Sequence, residues 1–400
     1  MTHTLVTFLG KGRDNRTTGY REALYHFPDG NEGRTPFFGL ALADHLQPDR
    51  LVILGTRGSQ WGVLVENLAA EGEEEEARIA LMDAETEMQV DQALLDTLAP
   101  LLTRSVGRPV SPRLIPYGRN PDEQNTILQI IAEVVPKGTV SFDLTHGFRH
   151  LGMVGFLSAF MLERIGRMIV QGLWYGALDM TENGATPVIR LDGLSAVQRW
   201  IDALDRFDVT GDYGVFSELL VADGVPRDKA ECLRAAAFHE RTFNLADAAR
   251  KLNTFLSELD RQLPGASGLF QNKLRERLAW VKKGSLADHQ RTLAYQYLWR
   301  ADYVRAAIFG WEAVVTKECE ARGCNANNFK GGRDVATSEL EDEIQNDQHP
   351  DWKRHAYWTL KNLRNALAHG TEPPKRYRHL LREPDTLARE LEACIKRLLG

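Results

Sequence analysis

Apolar positions along this chain follow two different rhythms. In the first half they come as short unbroken runs. Thr4–Gly10 and Arg50–Thr56 are long enough for a buried strand and too short for a buried helix. Similar runs at 79–82, 110–116, 139–145, 167–173 and 187–191 predict further strands. Between them, 34–46, 63–70, 91–102, 121–135 and 148–165 carry the three-to-four spacing of helices. The first gap, after residue 10, reads as a polar loop, and Glu73–Glu76 as a solvated loop or helix end. Strands alternating with helices of these lengths predict an α/β domain on a parallel sheet over residues 1–195. From Ser195 onward the strand rhythm stops. Helical spacing takes over at 195–207, 228–260, 270–282, 287–298, 301–321, 335–345, 352–369 and 384–398, predicting an all-α helical domain over 196–400.

One of these helices ends in chemistry. Leu360, Leu363 and Leu367 form its apolar stripe, Gly370 stands where a left-handed cap belongs, and Pro373-Pro374 oppose continuation. Asn365 and His369 are four residues apart and share a face, with Arg364 alongside. An imidazole can move or position a proton, and a guanidinium can neutralise charge developing on a phosphorane. The spacing Arg-x4-His also occurs at Arg21/His26 and Arg234/His239, and a histidine at a helix end can simply complement the carbonyl dipole. The third copy differs in having Asn straight after the Arg and Gly straight after the His. Ala235 replaces that polar residue in the second, leaving Arg234/His239 as a fallback pair. Lys353, Arg354, His355, Lys361, Lys375, Arg376, Arg378, His379 and Arg382 flank the third copy and form a candidate track for an RNA backbone.

In an open, Rossmann-like α/β sheet, ligands bind beyond the carboxyl ends of strands. Three such ends are unusual here: Gly10-Lys11-Gly12, Gly55-Thr56-Arg57-Gly58-Ser59-Gln60-Trp61, and Asp143-Leu144-Thr145-His146-Gly147-Phe148-Arg149-His150. Small residues let backbone amides approach phosphate, hydroxyls donate to it, and a following helix presents its positive end. Trp61 and His146 are candidates to stack on bases. None of the loops has the Gly-x-Gly-x-x-Gly or Walker spacing, which disfavours a dinucleotide cofactor or nucleoside triphosphate. His146 and His150 lie four apart without carboxylate or thiolate ligands beside them, so no metal site is expected.

Composition narrows the classes. At 43% hydrophobic, 400 residues fill more than one core. A formal net charge of −6 argues against an indiscriminate nucleic-acid binder while allowing a local basic patch. Cys232, Cys319, Cys324 and Cys394 are scattered, as suits a reducing cytoplasm. The start looks like a strand, not a signal peptide, and the apolar run from Gly152 to Leu162 is too short to span a bilayer. A cytoplasmic protein without membrane attachment is expected.

Arg-Asn-x3-His before a helix-ending Gly resembles the active-site motif of HEPN ribonucleases. Gly-Thr-x-x-Ser-x-Trp after one strand and Asp-Leu-Thr-His-Gly-Phe-Arg-His after another resemble CARF domains, as does Trp174-Tyr175-Gly176-Ala177. The chain is most similar to the CARF–HEPN ribonucleases of type III CRISPR systems. That resemblance implies a homodimer or higher homo-oligomer whose paired sensors bind a cyclic oligoadenylate, cyclic tetra-adenylate for preference, through Gly10, Lys11, Gly55, Thr56, Ser59, Trp61, Thr145, His146, Gly147 and Arg149. It implies a composite site of Arg364, Asn365 and His369 that cleaves single-stranded RNA by 2′-hydroxyl attack, with no metal or cofactor. Some relatives also cleave the ring in the CARF domain. Two other classes stay open: a non-catalytic sensor with a helical nucleic-acid-binding domain, and a small-molecule α/β enzyme using Asp143 and His146.

Overall fold

In the computed structural model, residues 1–11, 22–70, 72–166, 168–282 and 284–400 are described. Gly12, Arg21 and the predicted strand start at Arg167 lie outside them. The chain divides into two compact units, Met1–Ser195 and Ala196–Gly400.

The first unit is built on one sheet. Its strands are β1 (His3–Leu9), β2 (Ala23–His26), β3 (Glu32–Thr35), β4 (Arg50–Gly55), β5 (Val110–Leu114), β6 (Thr139–Asp143), β7 (Ile169–Gly176) and β8 (Ala185–Arg190), in the order β3-β2-β8-β7-β6-β1-β4-β5. Five neighbours, β7-β6-β1-β4-β5, are parallel, with Leu5 opposite Leu51 on one side and Ser141 on the other. The inner strands β1, β4 and β6 are almost wholly buried because helices cover both faces. Leu5, Leu9, Leu51 and Ile53 face one core; Val6, Phe8, Val52, Leu54, Val140 and Phe142 face the other. The helices are α1 (Phe38–Leu46), α2 (Trp61–Leu68), α3 (Glu75–Thr86), α4 (Gln92–Val106), α5 (Pro121–Val134) and α6 (Arg149–Ile165).

The all-parallel sheet needs correcting to a mixed one. β8 runs antiparallel to β7, and β3 antiparallel to β2. Only residues 177–184 connect β7 to β8, turning through Asn183 and Gly184 at positive φ. A parallel crossover needs about a dozen residues or more, so the short link forces reversal. The β2–β3 hairpin lies where a loop was expected. The strand expected at 79–82 is instead the middle of α3, where Ile79 and Met82 are exposed among alanines and glutamates that favour helix.

The second unit contains no strand among the described residues. Its helices are α7 (Asp192–Thr210, which starts before the division), α8 (Ser217–Ala222), α9 (Arg227–Arg241), α10 (Leu245–Leu256), α11 (Ser267–Arg277), α12 (Leu286–Trp299), α13 (Tyr303–Ala321), α14 (Asp334–Gln345), α15 (Asp351–His369) and α16 (Pro384–Leu399). One continuous apolar core runs through them. The long helical stretch expected at 228–260 breaks after α9, where Phe243 adopts positive φ and Asn244 caps α10 by accepting from the Asp247 amide. Among the described residues, no helix is long and apolar enough to cross a membrane.

Candidate ligand and catalytic sites

In sheet order, chain progress runs outward from β1 through β4 to β5 on one side and from β6 to β7 on the other. The reversal lies between β1 and β6, and a crevice opens at the carboxyl ends of strands at such a point. The three loops singled out in the sequence follow β1, β4 and β6, so topology gathers all three at that edge.

Hydrogen bonds fix the loops from behind. Asp143 is fully buried; Thr7 donates its hydroxyl to Oδ2 at 2.6 Å and the Thr145 amide donates to Oδ1 at 2.8 Å. Burial pushes its carboxyl above the ordinary value, opposed by His146 and by the bonds from Thr145 and Thr7. Thr145 Oγ1 in turn accepts the Gly176 amide at 2.7 Å, tying β6 to β7. His146 Nε2 accepts the Phe38 amide at the start of α1, 3.1 Å away. A neutral imidazole suits that bond: Nε2 offers its lone pair and Nδ1 keeps the proton. Burial pushes the imidazole below its usual value, with Asp143 pulling the other way. His150 Nε2 lies 2.7 Å from the Tyr117 carbonyl and must therefore donate. The two histidines hold different partners in opposite tautomers, and among the described residues no three-ligand metal cluster forms.

The loop after β4 places three of the expected contact residues inside the fold. Trp61 is 0% exposed, and its indole donates to the Thr56 carbonyl at 3.0 Å. It has no free face for a base. Thr56 and Ser59 are each 2% exposed and occupied with each other: Ser59 Oγ accepts the Thr56 amide at 2.9 Å and donates to the Leu9 carbonyl at 2.7 Å. In this structure these three side chains support the loop. Gly55 is required here, since an added Cβ would stand 2.5 Å from the Trp61 ring. Gly10 is buried, its carbonyl accepting the Gln60 amide at 3.1 Å. The start of α2 is also taken: the Gly62 amide donates to Glu85 Oε2 at 2.5 Å.

What remains open at the edge is Lys11, Gly147 and Arg149, with Thr145 and His146 half-buried beside them. Gly147 takes φ +97°, a conformation that Gly adopts at little cost. Sequence reasoning missed the loop after β5. Tyr117 sits 6.0 Å from Phe148, Phe148 stacks on His150 at 5.8 Å, and the Arg119 guanidinium lies 4.4 Å over Tyr117. The dipeptide Tyr117-Gly118 after a strand was the available signal. Among the described residues, no carboxylate pairs with Lys11, Arg57, Arg119 or Arg149, and the first turns of α1, α2 and α6 hold no acid. Glu85 takes an amide at the start of α2 and Glu123 the Arg119 amide, so what the edge offers an anion is its unpaired cationic side chains. Beside it, the outward side of α6 is apolar: Met153 is 74% exposed, and Leu157 and Leu194 are also exposed around a groove of about 780 Å³.

In the second unit, α15 buries Leu360 and Leu363 and ends at Gly370 with φ 64°, whose amide returns to the Ala366 carbonyl. Arg364 donates from Nη1 to Asn365 Oδ1 at 2.9 Å, while its buried Nε has no hydrogen-bond partner. Asn365 thus orients the guanidinium. His369 is exposed at the helix tip. The basic track is shorter than the sequence suggested. Lys353 pairs with Glu318, Arg354 with Asp347 and Asp351, and Lys361 with Glu341. Lys353 and Arg354 also lie about 15 Å or more along the helix axis from Arg364. Lys375, Arg376, His379 and Arg382 stay exposed, and Arg378 pairs with Glu372. The fallback pair loses its case, since Arg234 is held by Glu218 at 2.7 Å and Glu231 at 3.2 Å.

Comparison with known proteins matches residues 4–167 to the family model for the CARF domain of the CRISPR system endoribonuclease Csx1. The chain is 23% identical over 399 residues to the CRISPR-associated protein MJ1674 of Methanocaldococcus jannaschii, covering 92% of this chain and 62% of that protein. The chain therefore spans less than two thirds of that relative. Among solved structures, Enterococcus italicus Csm6 bound to cyclic hexa-2′-fluoro-hexa-dAMP aligns with a TM-score of 0.40 and 12% identity, over 100% of this chain and 93% of that one.

Proposed function

We propose, proceeding from the match of residues 4–167 to the Csx1 CARF family model, that this chain is a ribonuclease switched on by a cyclic oligoadenylate. The observation that carries the reading is the meeting of the ends of β1, β4 and β6 at the topological reversal of the sheet, with Lys11, Arg57, Arg119 and Arg149 nearby in the chain and, among the described residues, no acid paired to them. A ligand with several phosphates and purine faces suits a site that is cationic and bordered by Tyr117, Phe148 and His150. Cyclic tetra-adenylate is the first ring to test. The exposed apolar side of α6 supports pairing with a second copy, which brings two such edges together around one ring.

The catalytic group is Arg364, Asn365 and His369. The ribose 2′-hydroxyl attacks the adjacent phosphorus, its proton passes to His369, and the leaving 5′-oxygen takes a proton from the corresponding His369 of the second copy. The products are a 2′,3′-cyclic phosphate and a 5′-hydroxyl. Arg364, aimed by Asn365, neutralises the phosphorane. No step requires a metal ion. Lys375, Arg376, His379 and Arg382 hold the RNA backbone near the helix tip.

A fluorescent RNA reporter tests this with cyclic tetra- and hexa-adenylate, each with and without chelator. Cleavage is expected only with a ring present and equally in chelator, and the matching DNA should survive. Cleavage of that DNA, or none of the RNA with either ring, overturns the reading.

A further inference from the structure

A second cationic cavity lies in the helical unit, built by residues that the proposed reaction does not use. It occupies about 360 Å³ and is lined by Glu276, Arg277, Tyr295, Gln296, Trp299 and Arg300, from the last turns of α11 and α12. We propose that this cavity binds a nucleotide phosphate between Arg277 and Arg300, with the base lying on Trp299.

Three observations converge on it. The first is charge. Arg277 bonds Asp208 at 2.6 Å, and Glu276 is taken by Lys273 at 3.0 Å, but among the described residues no carboxylate lies within ion-pair distance of Arg300. Arg277 is thus ion-paired, while Arg300 feels Glu240 and Asp208 only at longer range. The second is unmet hydrogen bonding. The Nε atoms of Arg277 and Arg300 are buried without partners, and so is the second oxygen of Asp208. Buried polar atoms are nearly always satisfied, and both guanidiniums here leave donor capacity that the protein does not use. Arg presents its donors as a planar fork that matches phosphate oxygens. Burial also pulls the Arg300 guanidinium below its ordinary value against Tyr297, Glu240 and Asp208, with Arg277 adding a little to the fall, so an incoming anion favours its charged form.

The third is the aromatic wall. The Arg300 guanidinium already lies over Phe207 at 5.0 Å and Tyr297 at 5.6 Å, which holds it in place beneath the opening. Trp299 is 71% exposed, a large ring left in solvent next to that cation. A phosphate beside an exposed aromatic face is the combination that holds single-stranded nucleotides. Inorganic phosphate alone would leave the ring unused. The ligand is therefore a nucleotide, either free or within a strand of RNA.

The test uses the full chain and titrates AMP while recording tryptophan fluorescence in the wild type and in Trp299→Phe. Their difference isolates this cavity from any adenylate bound at the sheet edge, because the other tryptophans are common to both. Quenching is expected in the wild type and absent from the difference for adenosine, which lacks the phosphate. Arg300→Gln should weaken AMP about tenfold or more, equivalent to about 1.4 kcal/mol. Arg300→Lys, which keeps the charge and loses the fork, should fall between; it also serves if the glutamine variant melts. Displacement of AMP by a 2′-O-methyl RNA oligonucleotide assigns the cavity to an RNA strand, and its failure assigns it to a free nucleotide. The proposal is overturned if adenosine quenches as well as AMP, if millimolar AMP gives no difference signal, or if both Arg300 variants bind AMP as the wild type does.

Discussion

Arg364 shows how much a single side chain depends on its neighbour. Its fork is set by one bond to Asn365, and its own Nε has no protein partner. Arg364→Lys keeps the charge and loses the planar geometry, so reporter cleavage at saturating activator should fall about 100-fold or more. Activator binding, measured by calorimetry, should not change. Glu240 carries a different prediction. It is buried between the hydroxyls of Tyr213 and Tyr297, and burial raises its carboxyl above the usual 4.5, against the pull of those two bonds and of Arg300 and Arg305. Between the unfolded and folded values the folded state holds the extra proton, so stability is greatest in acid and declines as pH rises through that window. Glu240→Gln removes the titration. Denaturant unfolding from pH 4.5 upward should show the glutamine variant gaining on the wild type by up to about 1.4 kcal/mol per pH unit. At this scale Trp61 marks the limit of reading a sequence. A tryptophan after a strand suits a ligand or a core equally, and only the approach of its ring to Gly55 and Thr56 decides for the core. Trp61→Ala should therefore cost about 3–5 kcal/mol in denaturant unfolding.

Among the elements, α6 carries the most informative mismatch between composition and surroundings. Its inner face buries Leu151, Ala159 and Leu162, while Met153 and Leu157 point outward into the apolar groove. If this side joins two copies, Leu157→Glu should shift the sedimenting species toward the monomer and abolish activated RNA cleavage together, because each copy contributes half of both sites. A variant that stays paired and active would remove α6 from the interface. The same scale explains which elements were legible. β1, β4 and β6 announce themselves as short runs rich in apolar and β-favouring residues because both of their faces are covered. The β2–β3 hairpin does not, since only Ala23 and Tyr25 in β2 are buried and β3 lies at the sheet edge. The direction of β8 depended on the length of its connection, a quantity that apolar spacing does not encode. Arg364, Asn365 and His369 could be placed because helix stripe, cap and chemistry fall within eleven consecutive residues. The Tyr117–Phe148–His150 cluster joins loops more than 30 positions apart in the chain, so no local pattern announced it.

At the scale of the whole molecule, the proposed activation requires a ring that binds one arrangement of two copies better than another, since equal affinity for both moves no population. Removing one cation at the sheet edge should therefore change the concentration of ring required and leave the fully activated rate intact. Arg149→Ala is expected to raise the half-activating concentration of the effective ring about tenfold, with the same plateau of RNA cleavage. A lowered plateau with unchanged half-activation would place Arg149 in the catalytic event instead. Either result can be read from one titration of the reporter assay.

The buried carboxylate of Asp143 joins β1, β6 and the start of the following loop through Thr7 and Thr145, and Thr145 extends the chain of bonds to β7. If the sheet edge receives a ring as proposed, walls locked together in this way have little slack to take up when the guest arrives. Capture should then be governed by diffusion and long-range attraction, with an association rate that drops steeply as salt is added. The guest's own geometry, and not any moulding of the wall around it, would set which ring is accepted.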